Sequence, residues 1–308
     1  GATIKNVALE DINVTGKDST GGLVGRADSS TITNSYVTGS VGGVEYSTGG
    51  LVGRAEGSTI TNSYTTGSVT GRLYTGGLVG SALNLSTISN SYATGSVTGR
   101  NDTGGLVGLA RSSTITNSYV TGEVSGRDYT GGLVGQAEGS TKIINSYTTG
   151  SVTSTGDYVG GLVGEAAKST ITNSYVTGTV TSTGTRQVGG LVGLARSSTI
   201  TNSYTTGAVS GAGETGGLVG YAGGSNKISN SYATGSVTGT GSYTGGLVGY
   251  AWESPITNSY ATGSVTGEGN DTGGLVGYAT NSSIWANRST ITNSYATGSV
   301  TGGDNTGG

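Results

Sequence analysis

The stretch Gly49-Gly50-Leu51-Val52-Gly53-Arg54-Ala55-Glu56-Gly57-Ser58-Thr59-Ile60-Thr61-Asn62-Ser63-Tyr64-Thr65-Thr66-Gly67-Ser68-Val69-Thr70 decides how this chain folds, because it recurs with small changes along all 308 residues. Its opening pentapeptide begins at Gly21, Gly49, Gly76, Gly104, Gly131, Gly160, Gly189, Gly216, Gly245 and Gly273, and Gly307-Gly308 starts an eleventh copy. The copies lie 27 to 29 residues apart, with one interval of 34. Self-similarity at such a period marks a solenoid or array.

Unit length varies in two places only, and insertions collect in loops. One place follows the Ala of the first segment, where residues 280–290 carry the large insertion; the other follows Val41, Val69 or Val97. The constant stretches between are short, alternating and rich in Gly, Thr, Val and Tyr, which predicts strands. A unit offers one Leu, one Ile, one or two Val and an Ala. That is too little apolar surface to offset an ordering cost of roughly 1–2 kcal/mol per residue, so each coil must borrow its neighbours. The expected fold is all-β, a parallel β-solenoid (β-helix) of about ten coils of 27–29 residues. At a strand spacing of about 4.8 Å the rod would be roughly 48 Å long. Residues 1–20 read as a diverged N-terminal coil and 21–308 as one continuous repeat domain with an insertion near 280–290. The incomplete eleventh copy leads us to expect a segment of something longer.

Register follows from which positions tolerate change. The residue after Gly-Leu-Val-Gly runs through Arg26, Arg54, Ser81, Leu109, Gln136, Glu165, Leu194, Tyr221, Tyr250 and Tyr278. A site accepting Arg, Glu and Tyr is expected to face solvent. By the period of two, Leu23, Gly25 and Ala27 then point inward and Val24 outward. The site after the constant Tyr holds only Val, Thr or Ala (Val37, Thr65, Ala93), as a cramped interior would require. This places Ser35, Val37, Gly39 and Val41 inside and Tyr36, Thr38 and Ser40 outside. Ile32 is also expected inside, which demands a bend at Thr33-Asn34, and Asn tolerates bends. Its copies Asn34, Asn62, Asn90, Asn117, Asn145, Asn173, Asn202, Asn230, Asn258 and Asn293 would stack as a structural ladder. The competing register places Tyr and Asn inward.

Composition removes much chemistry. There is no His and no Cys, hence no Ser-His-Asp or Cys-His nucleophile, no His-containing zinc site, no disulfide and no thiolate metal site. No catalytic, cofactor-binding or metal residues are expected, and no unit carries a fixed carboxylate pair for acting on a carbohydrate. Fourteen Lys and Arg are scattered singly and the net charge is only -3, which argues against nucleic acid as a partner. No apolar run suffices for a membrane-spanning helix. Asp102, Asp128, Asp271 and Asp304 precede Gly-Gly, about one carboxylate per loop against the six to eight oxygens calcium takes; they read as turn formers. Asn13-Val14-Thr15, Asn101-Asp102-Thr103, Asn270-Asp271-Thr272 and Asn287-Arg288-Ser289 fit the glycosylation sequon.

The pentapeptide followed by Ile-x-Asn-Ser-Tyr-x-Thr-Gly-x-Val resembles the GLUG repeat of secreted bacterial surface proteins, including adhesins and repeat regions beside immunoglobulin A peptidases. The resemblance covers nearly the whole chain. It implies an extracellular, cell-surface β-solenoid acting as stalk, fibre or adhesive surface. The metal-binding His-Glu-x-x-His of those peptidases has no counterpart in a chain without His.

Two outward columns are candidate contact surfaces. One is Tyr36, Tyr64, Tyr92, Tyr119, Tyr147, Tyr175, Tyr204, Tyr232, Tyr260 and Tyr295, flanked by Thr and Ser. Tyr offers rigid amphipathic area for sugars or another rod, or its copies simply stabilise one another across strands. The other is Val24, Val52, Val79, Val107, Val134, Val163, Val192, Val219, Val248 and Val276, an apolar stripe suited to packing between solenoids unless the chain's own Tyr46, Tyr74, Tyr129 and Tyr158 segments cover it. The function expected is a structural repeat module of an extracellular fibre or cell-surface adhesin, self-associating through coil ends and these stripes. The alternative is a glycan- or host-surface-binding module using the Tyr/Thr face. Ice binding is a remote alternative, since bulky Tyr spoils a flat Thr array.

Overall fold

The computed structural model describes residues 1–281 and 289–308. Part of the insertion, with Asn287 and Arg288 of the last sequon, lies outside them. Among the described residues every strand pairing is parallel and no helix forms. The chain winds as a β-solenoid of about ten coils, and equivalent residues of successive coils sit in register, as in Ile60↔Ile88↔Ile115 and Tyr64↔Tyr92↔Tyr119.

Each coil contributes to three sheets, of 10, 11 and 29 strands among the described residues. The valine sheet is made from segments such as Val52–Glu56, the isoleucine sheet from Thr59–Thr61, and the tyrosine sheet from Tyr64–Thr65, Ser68–Thr70 and Leu73–Gly76. The first coil is built on the same plan. Thr3–Lys5 pairs with Thr31–Thr33 and Ala8–Gly21 with Tyr36–Gly49, with register shifts at Leu9/Ile12 and Gly16/Asp18.

The interior is a set of columns. Leu51, Ile60, Ala55 and their copies are buried, and Ile32, Val37 and Leu51 belong to one continuous cluster. As expected, the small site after Tyr is interior: Val37, Thr65 and Ala93 are all buried. The bend between Ile32 and Ser35 is real and falls on Asn. All ten repeat Asn residues have φ between +49° and +52°, the left-handed region that Asn enters more readily than most residues. After that corner Ser35 is fully buried.

The valine column departs from expectation. Val52, Val79, Val107, Val134, Val163, Val192, Val219 and Val248 are fully buried members of the core cluster, and only Val24 and Val276, near the ends, are half-exposed. One cause is a corner in each coil: the bend falls on the second Gly and the Leu, and Val opens the strand that follows. The N–H groups of Leu78 and Val79 both donate to the carbonyl of Leu106, at 3.0 and 2.9 Å, and the same pair of bonds recurs from Leu23/Val24 through Leu247/Val248. The corner interrupts strict alternation between Leu and Val, so both can be buried. The other cause is cover by the chain itself. The strand Leu73–Gly76 packs on Val107–Arg111 of the next coil.

That covering strand also explains two glycines. A Cβ on Gly108 would run into the backbone of Tyr74 and Thr75, and one on Gly71 would meet the Thr75 hydroxyl. The segment before each Gly-Gly, an edge of the tyrosine sheet, thus packs against the valine sheet, with no room for a side chain on facing glycines such as Gly71 and Gly108. Its Thr column is fully buried, and the Oγ1 atoms of Thr48, Thr75, Thr103, Thr130, Thr244 and Thr272 have no hydrogen-bond partner. In two coils Val159 and Val188 take this position. There the facing glycine is replaced by Ser154 and Ser182, whose hydroxyls bond the backbone carbonyls of Arg127 and Gly156.

The variable site after Gly-Leu-Val-Gly is likewise not uniformly solvated. Ser81, Leu109, Glu165 and Leu194 are buried, whereas Arg26 and Tyr278 are exposed, because the covering segments shield some coils more than others. Gly39 also differs from its assignment. Gly67 is half-buried, and a Cβ there would strike the carbonyl of Gly39 in the preceding coil. This column is glycine because of coil spacing, not because it faces the core.

Candidate interaction surfaces

Thr-Ile-Thr, the Asn corner and the following Tyr fix the most regular face. The Asn side chains form the expected ladder: eight amide bonds of 3.1–3.3 Å join Nδ2 of one Asn to Oδ1 of an adjacent coil, including Asn62 to Asn34 and Asn293 to Asn258. Beside it runs a buried ladder that the sequence reading placed inside without assigning it a role. Ser63 N–H donates to Ser91 Oγ at 3.2 Å, and Ser63 Oγ donates to the Thr61 carbonyl at 2.9 Å. The pattern repeats from coil to coil, as in Ser146 to Ser174. Satisfied buried polar chains of this kind specify register, since a slip would orphan every member.

Tyr36 through Tyr295 form one uninterrupted stack. Nine ring pairs have centroids 4.7–5.2 Å apart and planes within 2–8° of parallel. The column lies on the outer side, as expected, with Tyr36 through Tyr260 half-buried and Tyr295 exposed. Because each ring covers the next, the solvent meets ring edges and hydroxyls rather than faces. Burial, and then the neighbouring phenols, push the Tyr92, Tyr175 and Tyr232 hydroxyls above the usual tyrosine range. Tyr36 is raised first by its hydrogen bond to Glu10. Thr66, Ser68 and Thr70 stand exposed alongside. The valine column forms no surface here, so the stripe expected from Val24 to Val276 is withdrawn as a contact site.

The remaining face is the outer side of the valine sheet with the segments that cover it, and its residues change markedly from coil to coil. It carries ion pairs in the early coils, Arg54–Glu56 at 3.1 Å and Arg111–Glu138 at 2.8 Å. Arg196 meets the buried carboxylate of Glu165 at 3.1 Å. Toward the other end it becomes aromatic: Tyr221, Tyr243, Tyr250 and Tyr278 make mutual ring contacts. The sequence reading missed this cluster because its members come from two different columns of the repeat.

Of the four loop aspartates, Asp102 is buried with φ of +50° between Tyr74 and Tyr129 of adjacent coils. Burial first, then the charges of Glu138, Glu165 and Asp128, raise its carboxyl to about 7. Asp128 accepts the N–H of Asp157 at 3.0 Å, and Asp271 accepts from Asn305 at 2.9 Å. Among the described residues no three acidic side chains converge to hold a metal ion, and no helix is long and apolar enough to cross a membrane.

The repeats of this β-solenoid are GLUG motifs, and the chain belongs to that family. The family model, "The GLUG motif", matches residues 18–42, 45–70, 71–98, 99–125, 126–153, 155–181, 184–210, 240–266 and 268–301. The coil between 211 and 239 falls outside these matches yet keeps the same pairings, Ile200↔Ile228 and Tyr204↔Tyr232. No curated protein and no solved structure matches the chain.

Proposed function

We propose that this chain is a structural repeat module of an extracellular fibre or cell-surface adhesin that self-associates head to tail. What supports this is the sameness of the contact between coils. The upper side of each coil presents the Asn, Ser, Ile and Tyr columns that the lower side of the next coil accepts, from Thr3↔Thr31 near one end to Tyr260↔Tyr295 near the other. A surface that fits a copy of itself by translation along an axis is heterologous and does not close. The same contact therefore serves within a chain and between chains.

The tyrosine column favours a structural role too. Its ring faces are spent on one another, so it adds cross-strand stability over the whole rod and leaves little aromatic face for a sugar. Sedimentation velocity over a hundredfold concentration range tests the proposal. Growth of species heavier than one chain is expected, and a single slow boundary of constant size at every concentration would refute it.

A further inference from the structure

The aromatic cluster on the valine-sheet face is the least repetitive feature of a highly repetitive molecule. Tyr221, Tyr250 and Tyr278 occupy the same register position on three adjacent strands. Tyr243 comes from the covering strand Tyr243–Gly245 and reaches both Tyr250, at 5.2 Å, and Tyr278, at 5.1 Å. Trp252 is two residues beyond Tyr250 on the same strand and so on the same side of the sheet. Opposite Trp252 in the previous coil stands Gly223. The Tyr221 ring lies across that glycine, where a Cβ would meet the ring itself.

Tyr221 and Tyr250 stack as the long column does, 4.8 Å apart and 4° from parallel, but the other rings do not. Tyr243 is turned 62° from Tyr250, and Tyr278 is tilted 32° from Tyr250 and 33° from Tyr243. Rings turned in this way leave part of their faces uncovered, and Tyr278 is 39% exposed. Between residues 213 and 281 the charged side chains are Glu214, Lys227, Glu253, Glu268 and Asp271. Lys227 lies in the isoleucine sheet, whereas Glu214 and Asp271 occupy the register positions on either side of Tyr243. Arg196, opposite Gly223 at the edge of this face, is paired with Glu165, so the rim left is acidic and the face suits a ligand rich in hydroxyl donors rather than an acidic one.

We infer that Tyr221, Tyr243, Tyr250, Tyr278 and Trp252 form a binding platform for a neutral oligosaccharide. Pyranose rings pack their C–H faces on the open aromatic faces, while Glu214 and Asp271 accept hydrogen bonds from sugar hydroxyls. Aromatic side chains provide large rigid contact area at low entropic cost, and a few polar groups fix orientation. The site is separate from the coil ends invoked for self-association, so the two readings stand or fall independently.

The test is isothermal titration of the full chain with cellohexaose and chitohexaose, both neutral, and with a galacturonic acid hexamer. The variant combines Tyr243→Gln, Tyr250→Gln and Tyr278→Ser, residues that Gln187, Gln136 and Ser81 supply at the same positions of other coils, so folding is preserved. Binding of at least one neutral hexamer is expected, weakened about tenfold or more in the variant. Three results would overturn the inference. These are no binding of either neutral hexamer at millimolar concentration, equal binding by the variant, or binding of the acidic hexamer alone. Loss of self-association in the variant without any saccharide effect would assign the patch to a second copy and overturn it as well.

Discussion

Leu162 and Val163 are neighbours in sequence and both fully buried, their N–H groups converging on the single carbonyl of Leu191 at 2.9 and 3.0 Å. An alternating strand would have sent one of them to solvent. Replacing Val163 by Thr, nearly the same in shape, separates the two possibilities. In a buried site the added hydroxyl has no partner, and a loss of about 1–3 kcal/mol is expected in urea denaturation. A change within about 0.5 kcal/mol would mean that the column is solvated after all.

The covering strand yields the opposite prediction. Thr103 is fully buried with an unpartnered Oγ1, and Val159 and Val188 hold the same position in other coils. Thr103→Val removes a desolvated hydroxyl and keeps the volume. Denaturation should show unchanged or increased stability, by up to about 1 kcal/mol. A marked loss would point to a hydrogen bond that the structure does not contain.

Asn173 combines a side-chain bond to Asn145 at 3.1 Å with a φ of +52°. Asn173→Gly keeps the backbone conformation and loses the ladder bond. Asn173→Ala loses the bond and leaves a Cβ in the left-handed region without the polar side chain that makes Asn tolerant of it, at about 1–2 kcal/mol. Alanine should therefore be the more destabilising of the two. Equal costs would show that the corner does not demand left-handed backbone.

Asp102 gives a pH signature. Its folded pKa of about 7 lies above the ordinary 3.8, so the folded state holds the proton more tightly than the unfolded one. Stability contributed by this group is thus full below about pH 4, declines as pH rises toward 7, and is gone above it. The total swing is at most about 4 kcal/mol. Asp102→Asn, which tolerates the positive φ, should be more stable than the parent at pH 8 and should flatten the decline. Parallel pH profiles for the two proteins would contradict this assignment.

Much of this architecture was legible in the sequence. Ile60, Asn62, Ser63 and Tyr64 recur so strictly that burial, bend and outward column follow from which neighbours vary and which do not. What escaped is decided by the backbone or by distant segments. The corner that lets Leu and Val both be buried lies in the backbone, which leaves no trace in side-chain identity. The burial of Leu109 and Glu165 depends on a strand from the previous coil. The aromatic cluster joins Tyr243 to Tyr250 and Tyr278, positions that no periodic reading groups together, although six Tyr and one Trp within residues 221–278, four of the Tyr outside the repeated column, were a compositional hint.

Head-to-tail association, as proposed, extends from chain to chain the coil-to-coil contact that repeats within the chain without closing. Cryo-electron microscopy of the purified chain at rising concentration tests it most directly. Filaments with a cross-strand layer spacing of about 4.8 Å and the tyrosine column continuous across chain junctions are expected. Dispersed single rods at every concentration, or junctions at which the Asn and Tyr columns are broken, would contradict it.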